Sequence, residues 1–246
     1  MNILVFQHVD VEHPGVFRNF MKNDGLRWEA VELDEGGVIP DLSRYDLMMV
    51  MGGPQDVWQE HAHPWLKTEK LAIRKFVVEL GRPFLGICLG HQLLADALGG
   101  KVGPAQSPEV GVMTIKKTAE GQRDPVLAGL SDTTTVLQWH GAEVLEAPPG
   151  STVLASSDKC AIQAFRYGSH AYGFQFHVEL TDKTVADWAA IPVYAAALEK
   201  ALGPGAVENL ETAVAERLER FNGDAFQIYA AFMSMARSAI QLGHHV

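Results

Sequence analysis

One cysteine in this chain stands where a nucleophile would stand. Cys88 lies in Pro83-Phe84-Leu85-Gly86-Ile87-Cys88-Leu89-Gly90-His91-Gln92, an apolar run that ends in a Gly-x-Cys-x-Gly step. This is the thiol counterpart of the Gly-x-Ser-x-Gly elbow, in which a strand reverses sharply into a helix. The central residue of such a turn is held in a strained backbone conformation, and small neighbours, here Gly86 and Gly90, leave room for it. A sulfur at the first turn of a helix gains from the macrodipole, which favours the thiolate. The alternative is a buried core cysteine, the usual fate of a free thiol. Glycines on both sides at this spacing favour the nucleophile.

Thiol catalysis needs a base, and a group behind the base to orient it. The segment Tyr172-Gly173-Phe174-Gln175-Phe176-His177-Val178-Glu179 offers both. His177 and Glu179 are two apart, which in extended backbone points both side chains to one face. A carboxylate beside an imidazole fixes its tautomer and stabilises the imidazolium. An ordinary polar strand end is the competing reading. A tetrahedral intermediate also needs donors for its oxyanion. The backbone N–H of Leu89, directly after the cysteine, is one candidate. Gly53, in Gly52-Gly53-Pro54 beyond another apolar run, is the second, because neighbouring strands of a doubly wound sheet open into one crevice.

The elements that must position these groups read as α/β. Ile3 to Phe6, Arg27 to Leu33, Tyr45 to Met51 and Phe84 to Ile87 read as strands. Helical patterns lie between them at Val16 to Lys22 and Trp65 to Leu80. Continuous apolar strands alternating with helices imply a parallel sheet covered on both faces. The middle of the chain changes character. Gly111 to Thr118, Thr134 to His140, Thr152 to Ser156, Ala161 to Tyr167 and Ala171 to His177 are strand-like, closely spaced and joined by turn signals, which implies an antiparallel portion. From Thr181 onward the pattern is helical, broken near Pro192 and at Gly203-Pro204-Gly205. The expected organisation is one α/β domain over 1–190, a doubly wound, mostly parallel, flavodoxin-like sheet with a smaller antiparallel portion. A helical extension over 191–246 packs on it. Ala225 to Leu242 carries an apolar stripe expected to pack on the domain, with a dimer or partner surface as the alternative.

Bulk properties exclude more than they assign. The 246 residues are 47% hydrophobic and 20% charged, as in an ordinary globular protein. A net charge of −10 argues against nucleic-acid binding, which needs a basic patch. No apolar stretch approaches the ~20 residues of a membrane span. The first residues run straight into a strand pattern without a basic leader, so a reducing cytoplasm is the expected compartment. His61 and His63 with Glu60 belong to no closed set of zinc-like ligands, so no metal is expected. Cys160 is expected in the core at the start of an alternating strand. His244-His245 is expected to be a solvated tail.

Taken together, Gly86-Ile-Cys88-Leu-Gly-His-Gln92, Gly52-Gly-Pro54 and Phe174-Gln-Phe-His177-Val-Glu179 resemble the class I (triad) glutamine amidotransferases. The likeness is to stand-alone proteins similar to the glutaminase domain of GMP synthase, and it covers roughly residues 1 to 185. The resemblance implies hydrolysis of the glutamine side-chain amide to glutamate and ammonia, no cofactor, and a synthetase partner that receives the ammonia. It implies that Cys88 attacks the amide carbon, His177 moves the proton, and Glu179 orients His177. It also implies that Gly53 and Leu89 hold the oxyanion. Gln92, His140 and Gly141, with Gly52 and Pro54, match positions beside the substrate. Glu109 matches an acidic position to which no role is assigned. Two departures stand out: Val178 replaces the family's usual proline between His and Glu, and no phosphate-binding loop of a synthetase domain follows. A γ-glutamyl peptidase acting on glutathione-like compounds has the same chemistry and is the rival reading. A non-catalytic binding protein of the same fold is a third, and its sign would be a missing triad member; none is missing here. Room beyond the scissile bond, near Gln55 to Pro64 and Gly103 to Pro108, would separate the first two.

Overall fold

The computed structural model describes residues 1–243, so the His244-His245 tail lies outside the described residues. One nine-stranded sheet organises the chain, in the order β2-β1-β3-β4-β9-β8-β7-β5-β6. The parallel half comprises β1 (Asn2–Gln7), β2 (Arg27–Glu32), β3 (Leu47–Val50), β4 (Phe84–Ile87) and β9 (Ala171–Phe174). All four residues of β3, of β4 and of β9 are buried. These central strands are covered on both faces and so read as unbroken apolar runs rather than alternating ones. The antiparallel half comprises β5 (Lys101–Lys117), β6 (Thr133–Glu146), β7 (Ser151–Ser156) and β8 (Ala164–Tyr167).

Two cores sandwich the parallel half. On one face, α2 (Trp65–Arg74) and α3 (Leu89–Ala97) bury Leu66, Ile73, Leu93 and Leu94 against Leu4, Met48 and Phe84. On the other, α1 (Phe17–Asn23) and the long α8 (Leu218–Gly243) bury Phe17, Met21, Ile228 and Phe232 against Val5, Met49 and Ile87. Phe17 stacks on Tyr229 with centroids 6.2 Å apart, so the last helix joins the core of the first strands. A third core lies over the antiparallel hairpin. There α5 (Thr184–Ala189), α6 (Pro192–Leu202) and α7 (Ala206–Ala215) set Trp188, Tyr194, Leu198 and Leu210 against Val110, Leu137 and Trp139. Among the described residues, no helix is long and apolar enough to cross a membrane.

Several boundaries differ from the sequence expectation. The helix expected over 65–80 is α-helical to Arg74 and ends in one π turn, Lys75–Glu79, with Phe76 and Val77 both buried. The β5 strand begins at Lys101 rather than near Gly111, and its pairing with β6 is interrupted between Pro104 and Glu109. Pro104 and Pro108 lack donors and read as loop punctuation, yet the strand runs through them as an irregular edge. Its partner β6 runs to Glu146, so Gln138 to Gly141 is mid-strand and not a strand end. Finally, β8 begins at Ala164, which leaves Cys160 buried in the preceding loop. Burial pushes that thiol up to about 12.

Candidate active site

The turn from β4 into α3 has the geometry its glycines imply. Cys88 sits at φ +51° and ψ −105°, the one non-glycine residue with positive φ among the described residues. Such a conformation costs about 1–3 kcal/mol and persists only where its surroundings over-determine it. Here they do. The Cys88 N–H donates to the Phe174 carbonyl at 2.8 Å, and the Gly90 N–H to Met51 at 3.1 Å. A Cβ on Gly86 would lie 2.4 Å from the Gly90 carbonyl oxygen, and one on Gly90 would lie 2.0 Å from that of Val50. Either side chain would force the elbow away from the sheet.

The loop after β3 closes on the elbow. A Cβ on Gly53 would come within 2.9 Å of the Leu89 side chain and 2.7 Å of His8, so the two segments expected to carry oxyanion donors are in contact. His8, wholly buried at the end of the first strand, holds this loop. Its Nδ1 lies 2.8 Å from the Gly52 carbonyl oxygen and its Nε2 lies 2.9 Å from Glu69 Oε1. Two acceptors on one ring require two N–H groups, so this geometry fits imidazolium. Burial pushes His8 down, but Glu69 and the Gly52 carbonyl outweigh it and the net shift is upward.

His177 arrives from the segment after β9. It is clamped to β6 by two backbone bonds: its N–H donates to Leu137 at 2.9 Å, and the Leu137 N–H returns at 3.1 Å. Its Nδ1 lies 2.6 Å from Glu179 Oε1. The other Glu179 oxygen accepts the Val178 N–H at 3.0 Å. The departure from proline therefore has a use: valine keeps a donor that proline lacks. Trp188 presses edge-on against the His177 ring, centroids 4.6 Å apart. Burial pushes His177 down, but the Glu179 carboxylate and the Cys88 sulfur raise it well above the usual histidine range. Burial pushes the Cys88 thiol up, and His177 beside it opposes that most strongly.

The remaining expected residues divide. Gln92 donates to Ala142 at 3.1 Å and to Gln175 at 3.0 Å, and Gln175 donates to the Cys88 sulfur at 3.6 Å. Gln92 is thus tied to the elbow through Gln175. Pro54 is half-buried beside Gly53. His140 lies in the hairpin, with Nδ1 2.9 Å from the Ala142 carbonyl that Gln92 also reaches, and Nε2 3.3 Å from Glu109. Glu109 also accepts from Gln163 at 2.6 Å and Ser157 at 2.8 Å, which is a structural network. Gly141 is exposed with open space around it. His91, three residues past the cysteine, packs on Phe165, and burial pushes it down to about 3. It is a neutral core residue.

Four residues near the thiol were given no role from sequence. Gln175, inside the His177 motif, is one and Trp188 another. The others are Glu12, in the turn after β1, and Tyr194 on α6, whose hydroxyl donates to Glu12 Oε1. Glu12 could have been found from topology alone, because it follows the carboxyl end of a central parallel strand. Tyr194 and Trp188 carried no signal beyond an aromatic in a helical pattern.

The family model for class-I glutamine amidotransferases matches residues 16–187, more than half of the chain. The chain belongs to this family. The amidotransferase is 30% identical over 196 residues to the glutamine amidotransferase-like protein YfeJ of Salmonella typhimurium, covering 75% of this chain and 78% of that one. It is 38% identical over 144 residues to a subunit of the glutamine-hydrolysing GMP synthase of Saccharolobus solfataricus (58% and 71% covered). It is also 29% identical over 167 residues to γ-glutamyl peptidase 2 of Arabidopsis thaliana (67% and 66% covered). A crystal structure of a glutamine amidotransferase from Thermotoga maritima superposes on it with a TM-score of 0.84 at 26% identity, over 96% of this chain and 98% of that one. Membership implies amide hydrolysis, and the nine-stranded α/β sheet is the fold of those neighbours.

Proposed function

We propose that this amidotransferase hydrolyses the side-chain amide of glutamine to glutamate and ammonia through a thioester on Cys88, and that it supplies the ammonia to a synthetase partner. The observation that carries this reading is the relay of buried groups from Glu179 through His177 to Cys88, with Nδ1 to carboxylate at 2.6 Å and the sulfur on a strained elbow. His177 takes the thiol proton as sulfur attacks the amide carbon. The oxyanion forms against the backbone of Leu89 and Gly53. The C–N bond breaks as His177 returns the proton to nitrogen, and ammonia leaves. Water then attacks the thioester, His177 takes its proton and delivers it to sulfur, and glutamate is released. Glu179 holds the tautomer and stabilises the imidazolium at each stage. The helices beyond residue 190 act as an extension of this one catalytic domain.

The likeness to a GMP synthase subunit supports a partner that consumes ammonia. The likeness to γ-glutamyl peptidase 2 supports a second reading, cleavage of a γ-glutamyl bond with an amine leaving group. Both substrates present the same carbonyl to sulfur. The test is ammonia release from glutamine by the purified protein, side by side with γ-glutamyl dipeptides. Release by the wild type and none by Cys88→Ala is the expected outcome; undiminished release by the variant would sink the mechanism.

A further inference from the structure

When the thioester forms, the departing nitrogen takes its proton from His177 and so leaves on the imidazole side of the sulfur. Two side chains pack against the groups that frame that side, the Gly52 turn and Trp188. Glu12 Oε2 rests on the main chain of Gly52, where a Cβ would lie only 1.7 Å from it. Glu12 Oε1 accepts the hydroxyl of Tyr194. Tyr194 packs on Trp139 and Trp188 with centroids 5.9 and 6.3 Å away, and Trp188 is the ring that meets His177 at 4.6 Å. All are buried: Glu12 is 4% exposed, Tyr194 8% and Cys88 6%. Glu12 thus touches the turn that closes on the elbow, and Tyr194 touches the ring that meets His177, although one member comes from the first loop and the other from the helices after residue 190.

We propose that Tyr194, pinned by Glu12, is the specificity-determining wall of the leaving-group pocket. It admits ammonia and excludes a substituted amine, so it sets preference for a primary carboxamide over a γ-glutamyl bond to a larger group. This rests on the amide hydrolysis proposed above. Ammonia is one heavy atom. An alkylamine or amino acid adds carbons where the tyrosine ring and its hydroxyl bond already lie, and excluding one methylene is worth about 10- to 200-fold. Glu12 fixes the ring by accepting its hydroxyl inside a buried site, where an unmade bond is expensive.

The test compares kcat/KM for glutamine and for γ-glutamylethylamide in the wild type, Tyr194→Ala and Tyr194→Phe. The wild type is expected to prefer glutamine. Tyr194→Ala should narrow that preference by at least ~10-fold through a gain on the ethylamide, and Tyr194→Phe, which keeps the ring, should narrow it less. A second readout needs no turnover: Cys88 alkylation by iodoacetamide and by the bulkier N-ethylmaleimide, with Cys88 resolved from Cys160 by peptide mass spectrometry. Tyr194→Ala should raise the maleimide rate relative to the iodoacetamide rate. If Tyr194→Ala fails to fold, Tyr194→Leu keeps apolar bulk in the core, shortens the reach and should give the same ordering. A wild type that favours the ethylamide, or an unchanged preference and alkylation ratio in both shortened variants, overturns the proposal. If the wild type hydrolyses neither substrate, the function reading falls, and the alkylation ratio alone decides whether the wall exists.

Discussion

Two buried histidine–glutamate pairs flank the Gly52-Gly53 turn, and they do different work. At the end of β1, His8 meets Glu69 of α2 at 2.9 Å across 61 residues of chain. After β9, His177 meets Glu179 at 2.6 Å across two residues. In both, a carboxylate overcomes burial and raises the imidazole. The difference lies in the second nitrogen. His8 spends it on the Gly52 carbonyl, and Trp65 stacks on the ring at 5.4 Å, so no proton can be moved. His177 keeps its second nitrogen for the neighbourhood of the sulfur. A buried His–Glu pair can only brace when both nitrogens are consumed and is free to carry a proton when one is left. Sequence spacing alone does not distinguish the two.

The largest expected effects test that division. His177→Ala should lower kcat for glutamine by roughly 10²–10⁴-fold, the usual worth of a positioned general base. His8→Ala should lower kcat less but leave Glu69 buried without its partner, a loss of about 3–5 kcal/mol of stability. Steady-state kinetics and urea unfolding of the two variants measure this crossing; equal losses of kcat would erase the distinction. Next in size is Glu179→Gln. It removes the charge that holds His177 up, so less imidazolium is present beside the thiol and Cys88 should lose its proton at higher pH. The alkylation–pH curve of Cys88 should move upward in Glu179→Gln and stay in place in Glu69→Gln. A shift in the second variant would make His8 part of the titrating unit. Smaller again is Val178→Pro. It deletes the 3.0 Å donor to Glu179, and a hydrogen bond to a charged group is worth about 1.5–3 kcal/mol. Restriction of the unfolded chain offsets part of that. A several-fold fall in kcat with a net loss of about 1–2 kcal/mol of stability is the expected result.

The same contrast explains what the sequence disclosed. The elbow is legible because its requirements are local: Gly86 and Gly90 must be small within two residues of Cys88, where carbonyl oxygens stand at 2.4 and 2.0 Å from any added Cβ. His177 and Glu179 are legible because extended backbone brings i and i+2 to one face. The parallel half was legible from its unbroken apolar strands. The brace was not, because His8 and Glu69 are neighbours only once β1 and α2 are assembled. The pairing of Tyr194 with Glu12 was invisible for the same reason, since 182 residues separate them, although the place of Glu12 beyond β1 was open to a topological reading. His140 stands at a motif position expected beside the substrate, and its Nδ1 shares the Ala142 carbonyl with Gln92, a link across 50 residues that spacing does not disclose.

The finest test of the brace is its pH signature. His8 is raised in the folded protein, so its pairing with Glu69 contributes stability that is fully present below the unfolded histidine value of about 6.5. That contribution is lost as pH rises through the raised folded value, because the folded protein then releases the proton it had retained. In Glu69→Gln the main raising group is gone, and burial pushes His8 down against only the Gly52 carbonyl and Glu12. The stability difference between wild type and Glu69→Gln should therefore be larger at pH 6 than at pH 9 in urea titrations. His177 keeps Glu179 in both proteins and cancels from the difference. A gap that is constant or widens with pH would mean that His8 is neutral in the fold and that the Gly52 carbonyl is held by something other than an imidazolium.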